Sequence, residues 1–267
     1  MTISLVLLPQ PETHVSMSRK PSTITELRIF SQNVNHNYMH VDYLLDNLWS
    51  DTDILFFQEL PWCFIRQTVS TSSPEGDEVV GAPKYPDWLY MVCPPALDSP
   101  PRIMAYVHKH LLKLRPALWQ DLIDHCDVLV LSLFSGGEPL NLMNIYLDDM
   151  HTAINLLLKD VDTLPTFIYI GGNFNCHSSV WDPAVEHHCT SAISLLETVS
   201  DLGVEWARPI NAANTYIPHN MDLEGSVIDL MFTQAPKYRS EPPQVGSITE
   251  GTIGPYSNGV IPSHCGL

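Results

Sequence analysis

Ile168-Tyr-Ile-Gly-Gly-Asn-Phe-Asn-Cys-His-Ser-Ser-Val-Trp-Asp-Pro183 is the stretch on which the reading of this chain turns. It reads as a buried strand running into a Gly-Gly turn. Asn173, Asn175 and His177 then fall on alternate positions just past the strand end. Side chains two apart on extended chain share a face. Three polar groups are therefore expected to converge at the carboxyl end of a sheet strand, a common place for an active site.

Around this stretch the chain alternates apolar runs and turns. Strands are expected at 27–33, 53–58, 88–92, 103–107, 128–134, 140–146, 167–170 and 227–233, with a hairpin turn at 135–138. Helical spacing of Val41, Leu44, Leu45 and Leu48 predicts a helix over 40–49. Further helices are expected at 151–160 and at 190–202, the last stopped by Gly203. Residues 61–86 read as a long loop, and 1–25 as a loose Pro/Ser/Thr-rich leader before a domain at 26–267. Many strands with a few interleaved helices imply one α/β or α+β domain with packed sheets.

Composition sets bounds. Of 267 residues, 45% are hydrophobic and only 16% charged, which excludes global disorder. The formal net charge of −17 opposes simple attraction to nucleic acid, though bound divalent cations would offset part of it. Six scattered cysteines with no Cys-x-x-Cys pair read as reduced thiols. No signal peptide and no membrane span is read, so an intracellular, soluble protein is expected, with the nucleus among its candidate compartments.

Polar residues recur at the strand ends: Asn33 and Asn35, Gln58 and Glu59, Tyr146, then Asn173, Asn175 and His177. Asp229 lies inside an apolar strand, and His264 stands near the end of the chain. Taken singly, each has an ordinary explanation: a turn residue, a strand-end acid, a hydrogen-bonded core carboxylate, a surface histidine. Together they are the parts of metal-assisted phosphodiester hydrolysis. A hard cation needs oxygen ligands, and Glu59 supplies one. Amides hold phosphate oxygens or a water without added charge. A His oriented by an Asp stabilises charge on phosphate or moves a proton. His187-His188-Cys189 lacks a second ligand pair at zinc spacing and is set aside.

In this order, Gln32-Asn-Val-Asn35, Gln58-Glu59, Asn144-Ile-Tyr146, Gly172-Asn-Phe-Asn-Cys-His177 with Trp181-Asp-Pro183, Val227-Ile-Asp-Leu230 and Ser263-His264 resemble the endonuclease/exonuclease/phosphatase superfamily. The chain looks most like the apurinic-type endonuclease domain of LINE-type retrotransposons, on the strength of His177 followed by Trp181-Asp182-Pro183. The resemblance implies a four-layer α/β sandwich, DNase I-like, with two packed mixed sheets flanked by helices. It implies Mg²⁺, or Mn²⁺ in its place, and cleavage of DNA. Glu59 and Asn33 would hold the metal. Tyr146 and Asn175 would hold the scissile phosphate, with His177 beside it. His264, oriented by Asp229, would stabilise the developing charge.

The departures are specific. Asn173 stands where the family has the Asp that activates the attacking water, and Ser263 and Asn35 replace two further acids. Loss of general-base help is worth ~10²- to 10⁴-fold, and fewer charged ligands weaken cation binding. The chain also ends three residues after His264, so the family's last core strand is expected to be missing and a sheet position open. The leading expectation is a retrotransposon-derived, metal-dependent DNA endonuclease domain with a partly degenerate site. The rivals are a non-catalytic binding protein on the same fold and a phosphoesterase for small phosphorylated molecules.

Overall fold

The computed structural model describes residues 2–6, 26–60, 65–68, 77–80, 85–93, 101–134, 138–182, 185–208, 214–216 and 225–234. Three strands open the fold: β1 (Thr2–Val6), β2 (Glu26–Asn33) and β3 (Ile54–Gln58), with helix α1 (Tyr38–Asn47) between β2 and β3. The five residues of β3 show how sequence becomes layers. All five are buried. Ile54 and Phe56 enter one hydrophobic cluster, and Leu55 and Phe57 enter another on the opposite face. A continuous apolar run is the signature of a strand covered on both sides.

Strands β4 (Ile65–Thr68) and β5 (Asp77–Val80) pair with each other, and β6 (Trp88–Met91) and β7 (Ile103–His108) complete the first sheet. Its order is β1-β2-β3-β7-β6, with β2 and β3 parallel and the other neighbours antiparallel. The second sheet uses β8 (Ala117–Leu118), β9 (Val128–Leu133), β10 (Leu140–Tyr146), β11 (Phe167–Asn173), β12 (Glu205–Trp206) and β13 (Asp229–Thr233). Its order is β12-β13-β11-β10-β9-β8, and only β10 and β11 run parallel. Helices α2 (Thr152–Asp160) and α3 (Thr190–Asp201) belong to the second half.

The sheets pack face to face. Ile29, Phe56 and Ala105 of the first share a core with Leu131, Leu142, Tyr169 and Met231 of the second, and Phe56 stacks on Tyr169 at 5.6 Å between ring centroids. Val41, Leu44 and Leu45 of α1 cover the outer face of the first sheet against Phe30, Leu55 and Phe57. Ala153, Ile154 and Leu157 of α2, with Ala192, Leu195 and Val199 of α3, cover the outer face of the second. The result is a four-layer α/β sandwich of two mixed sheets, as the sequence led one to expect.

The structure differs from the sequence reading in four places. Gly171 and Gly172 form no turn. They lie inside β11, paired with Asn144 and Ile145 of β10, and Asn173 is the last strand residue. Glycine is required at 172 because φ is +146° and an added Cβ would sit 1.8 Å from the Ile145 carbonyl oxygen. Second, residues 2–6 of the segment read as a leader form β1, antiparallel to β2, with Ile3 fully buried. That side of β2 is therefore covered. Third, β4 and β5 lie within the segment read as a loop and pair with each other antiparallel. Fourth, β13 begins at Asp229 rather than at 227. Strands β9 and β10 pair antiparallel with Leu133 opposite Leu140, and residues 135–137 of the expected hairpin turn lie outside the described residues.

Candidate active site

Strands β2, β3, β10 and β11 end at one rim, and antiparallel β13 begins there. A buried amide pair links the two sheets at this rim. Gln58 Nε2 donates to Asn144 Oδ1 at 2.5 Å and to Ser31 Oγ at 3.1 Å, and Asn144 Nδ2 donates to the Phe57 carbonyl at 3.1 Å. These bonds fix strand against strand, while the buried Gln58 Oε1 has no partner among the described residues. Glu59 directly follows Gln58 and Tyr146 lies two residues past Asn144, so this bridge sets their positions.

Glu59 leaves β3 in the left-handed region, with φ +52°, and Asn35 and His36 adopt φ +44° and +54°. Backbone bonds tie the two loops together, from Val34 N to Gln58 O at 2.9 Å and from His36 N to Glu59 O at 2.7 Å. Three non-glycine residues held at positive φ are a local strain that the surrounding bonds maintain. Asn33 Oδ1 accepts from the Asn35 backbone at 2.9 Å, which shapes the turn.

The Tyr146 hydroxyl is hydrogen-bonded to both Glu59 and Asn175. Burial, then the Glu59 carboxylate, push its phenol up to about 12, so it stays a proton donor at neutral pH. Asn175, at φ +44°, donates through Nδ2 to the Leu147 carbonyl at 2.9 Å. The Arg102 guanidinium lies 4.5 Å from the centre of the Tyr146 ring. It is held by two hydrogen bonds to buried Asp127, one from Nε at 2.6 Å and one from Nη2, and approaches Asp148 at 3.8 Å. Arg102 puts positive charge beside the one tyrosine of the site in a strongly acidic chain.

Asn173 Nδ2 donates to Asp229 Oδ1 at 2.9 Å across the β11–β13 pair. Asn173 is buried, and its Oδ1, closed off from solvent, has no donor among the described residues. Burial raises the Asp229 carboxyl to about 6. Asn173 and the Thr215 hydroxyl oppose that rise, and Glu59 adds to it. A folded value above the unfolded ~3.9 gives stability that is present in acid and lost as pH rises through 6. In metal-free buffer, the wild type should lose about 2 kcal/mol relative to Asp229→Asn between pH 4 and pH 6.5, read from urea midpoints.

The expected convergence of Asn173, Asn175 and His177 on one face does not occur, because the chain leaves extended geometry at Asn175. The His177 ring turns to Asp182, 3.9 Å away, and its backbone N–H meets Cys189 Sγ at 3.3 Å. Buried Trp181 anchors the same loop through its indole N–H to the Cys176 carbonyl at 3.2 Å. His188 Nδ1 pairs with buried Ser178 Oγ at 2.7 Å. Ser263 and His264 lie outside the described residues. Cys93, Cys126, Cys176 and Cys189 are free thiols, in line with the reduced reading.

Among the described residues, His125, Cys126 and Asp127 bring three potential ligand atoms within 4.8 Å of one another, but Asp127 is already taken by Arg102. Sequence reasoning passed over Arg102, His36 and the structural role of Asn144. No helix among the described residues is long and apolar enough to cross a membrane.

Residues 140–250 match the family described as endonuclease-reverse transcriptase. The endonuclease domain of TRAS1, a telomere-specific non-LTR retrotransposon, superposes with a TM-score of 0.58. It is 13% identical, over 78% of this chain and 85% of that one. The chain shares the fold of that endonuclease domain. AP endonuclease LMAP from Leishmania major shares it, with a TM-score of 0.52 and 12% identity over 78% of this chain and 79% of that one. No curated protein sequence matches the chain. The rim that carries Glu59, Tyr146, Asn173, Asn175 and Asp229 is the candidate active site.

Proposed function

We propose that this domain is a metal-dependent phosphodiesterase of the retrotransposon-endonuclease type, acting on DNA, in which the general-base position has been neutralised. The observation that carries the reading is the Glu59–Tyr146–Asn175 hydrogen-bonded group beside the Asn173–Asp229 pair. The donor set fits a divalent cation, because Glu59 offers a half-buried carboxylate at a rim of amide oxygens. Glu59 and Asn33 would hold Mg²⁺ or Mn²⁺. When bound, such an ion neutralises charge on the phosphate and polarises a water.

The chain's own groups do the rest. Tyr146 and Asn175 donate to the non-bridging oxygens, and Arg102 supports Tyr146 with a positive charge. Asn173 stands at the water-activating position, where an amide cannot take a proton. His264, by the family resemblance, would be oriented by Asp229 to stabilise the developing charge, and His177 would flank the phosphate. Neutral residues at Asn35, Asn173 and Ser263 weaken the hold on the cation.

The test is nicking of supercoiled plasmid in Mg²⁺ and in Mn²⁺. Wild type should nick slowly, and Glu59→Gln should reduce the rate by roughly 10²- to 10³-fold, the scale of one lost electrostatic group. Circular dichroism of Glu59→Gln should be unchanged, since the amide keeps a hydrogen bond to Tyr146. Equal rates in the two proteins would remove Glu59 from the chemistry. A second reading, DNA or protein binding without catalysis, is favoured by the amide at 173. It predicts plasmid retention on a filter with no nicking in either ion.

A further inference from the structure

We propose that His36 is a ligand of the candidate metal site, which makes that site selective for a divalent transition ion such as Mn²⁺ or Co²⁺ over Mg²⁺. The inference rests on the metal-dependent reading above and concerns which ion the site takes.

His36 Nδ1 lies 2.9 Å from the Leu60 carbonyl oxygen. A carbonyl only accepts, so Nδ1 carries the proton and the neutral ring presents a lone pair at Nε2. That atom is 3.9 Å from Glu59 Oε2. Two ligands of one ion, each bonded at ~2.1 Å, are at most ~4.2 Å apart. Nε2 and Oε2 therefore reach a shared ion without movement of the backbone. A histidine that gives its other ring N–H to a backbone carbonyl is the usual arrangement of a metal ligand, because that bond fixes tautomer and ring direction.

The placement is built rather than accidental. The His36 backbone N–H bonds the Glu59 carbonyl at 2.7 Å, and both residues are held at positive φ. The ring is open to solvent while Glu59 is more enclosed, which gives an entry side for an ion. The chemistry then selects the ion. Imidazole nitrogen suits borderline transition ions, whereas Mg²⁺ takes oxygen ligands in strict octahedral geometry. With the neutral Asn35 and Asn173 nearby, an added nitrogen donor supplies affinity that charge does not. The competing account of the same 3.9 Å contact is an ion pair between a protonated ring and Glu59.

Calorimetric titration of the full chain with Co²⁺ and with Mg²⁺ separates the two, using wild type, His36→Gln and Glu59→Gln. His36→Gln should weaken Co²⁺ by ~10-fold or more and Mg²⁺ by less than ~3-fold. Traces of Mn²⁺ should broaden the NMR signal of the His36 ring in wild type and spare it in Glu59→Gln. The His125 ring signal, beside Cys126 and Asp127, reports any second site. Equal Co²⁺ affinity in wild type and His36→Gln, or a His36 signal untouched by Mn²⁺, overturns the proposal. If Glu59→Gln alone then loses both ions, the metal-dependent reading survives without His36. Binding of neither ion to wild type overturns both.

Discussion

Gly172→Ala is expected to prevent folding or to cost roughly 4 kcal/mol or more, a loss that few single substitutions reach. Two causes act at once. The backbone at 172 sits at φ +146°, a region essentially closed to residues with a Cβ, at a strain of about 1–3 kcal/mol. The added Cβ would also lie 1.8 Å from the Ile145 carbonyl oxygen and 2.8 Å from its carbon. Those atoms are backbone of β10, so relief requires separating the β10–β11 pair rather than turning a side chain. That pair carries Tyr146 and Asn173, and the site would be lost with it. Gly203→Ala is the internal control. Its φ is +70°, but nothing lies within 4 Å of the new Cβ, so about 1–2 kcal/mol is expected. Urea denaturation of the two variants should separate them clearly, and equal midpoints would contradict the strand placement of Gly172.

Asn173→Asp is expected to raise nicking by ~10²- to 10⁴-fold, the worth of a positioned general base. The geometry that makes the gain also carries a cost. The amide now donates to Asp229 at 2.9 Å. A carboxylate in its place puts two acids at hydrogen-bond distance, and such a pair shares one proton at neutral pH. Asp229 already titrates near 6, so the pair should hold its last proton to a higher pH than Asp229 does alone. The folded state then binds a proton that the unfolded chain releases. Stability of Asn173→Asp should therefore fall, relative to wild type, as pH rises above 6. Melting temperatures at pH 5.5 and pH 8 check this: a small deficit in acid and a larger one in base. A deficit that does not grow with pH would mean that the two carboxyl groups do not face each other.

The layers were legible because they rest on local pattern. Five apolar residues in β3 and the spacing of Val41, Leu44 and Leu45 in α1 need no knowledge of distant partners. The Gly171-Gly172 pair misled because composition marks a turn, whereas here it allows the Ile145 backbone to approach. That approach is a tertiary fact. Strand β1 was hidden for the same reason: its pairing partner lies beyond a Pro- and Ser-rich stretch. Of the site, the order of Glu59, Tyr146, Asn173, Asn175 and Asp229 was readable, and the rim brings these residues together. Asn175 at positive φ was not readable, so the turn of His177 toward Asp182 was missed. Arg102 gave no signal, since its meaning depends on Asp127 and the face of Tyr146. His36 likewise matters only through the Leu60 carbonyl and Glu59.

The central claim is that a metal-dependent phosphodiesterase site persists here with its base position neutralised. Plasmid nicking in Mg²⁺ by wild type, Asn173→Asp and the double variant Glu59→Gln/Asn173→Asp tests it most directly, each protein first shown to be folded. The account predicts fast nicking by Asn173→Asp, a rate at least ~100-fold lower in wild type, and none in the double variant. A folded Asn173→Asp protein no faster than wild type, or a double variant as fast as the single one, would contradict it.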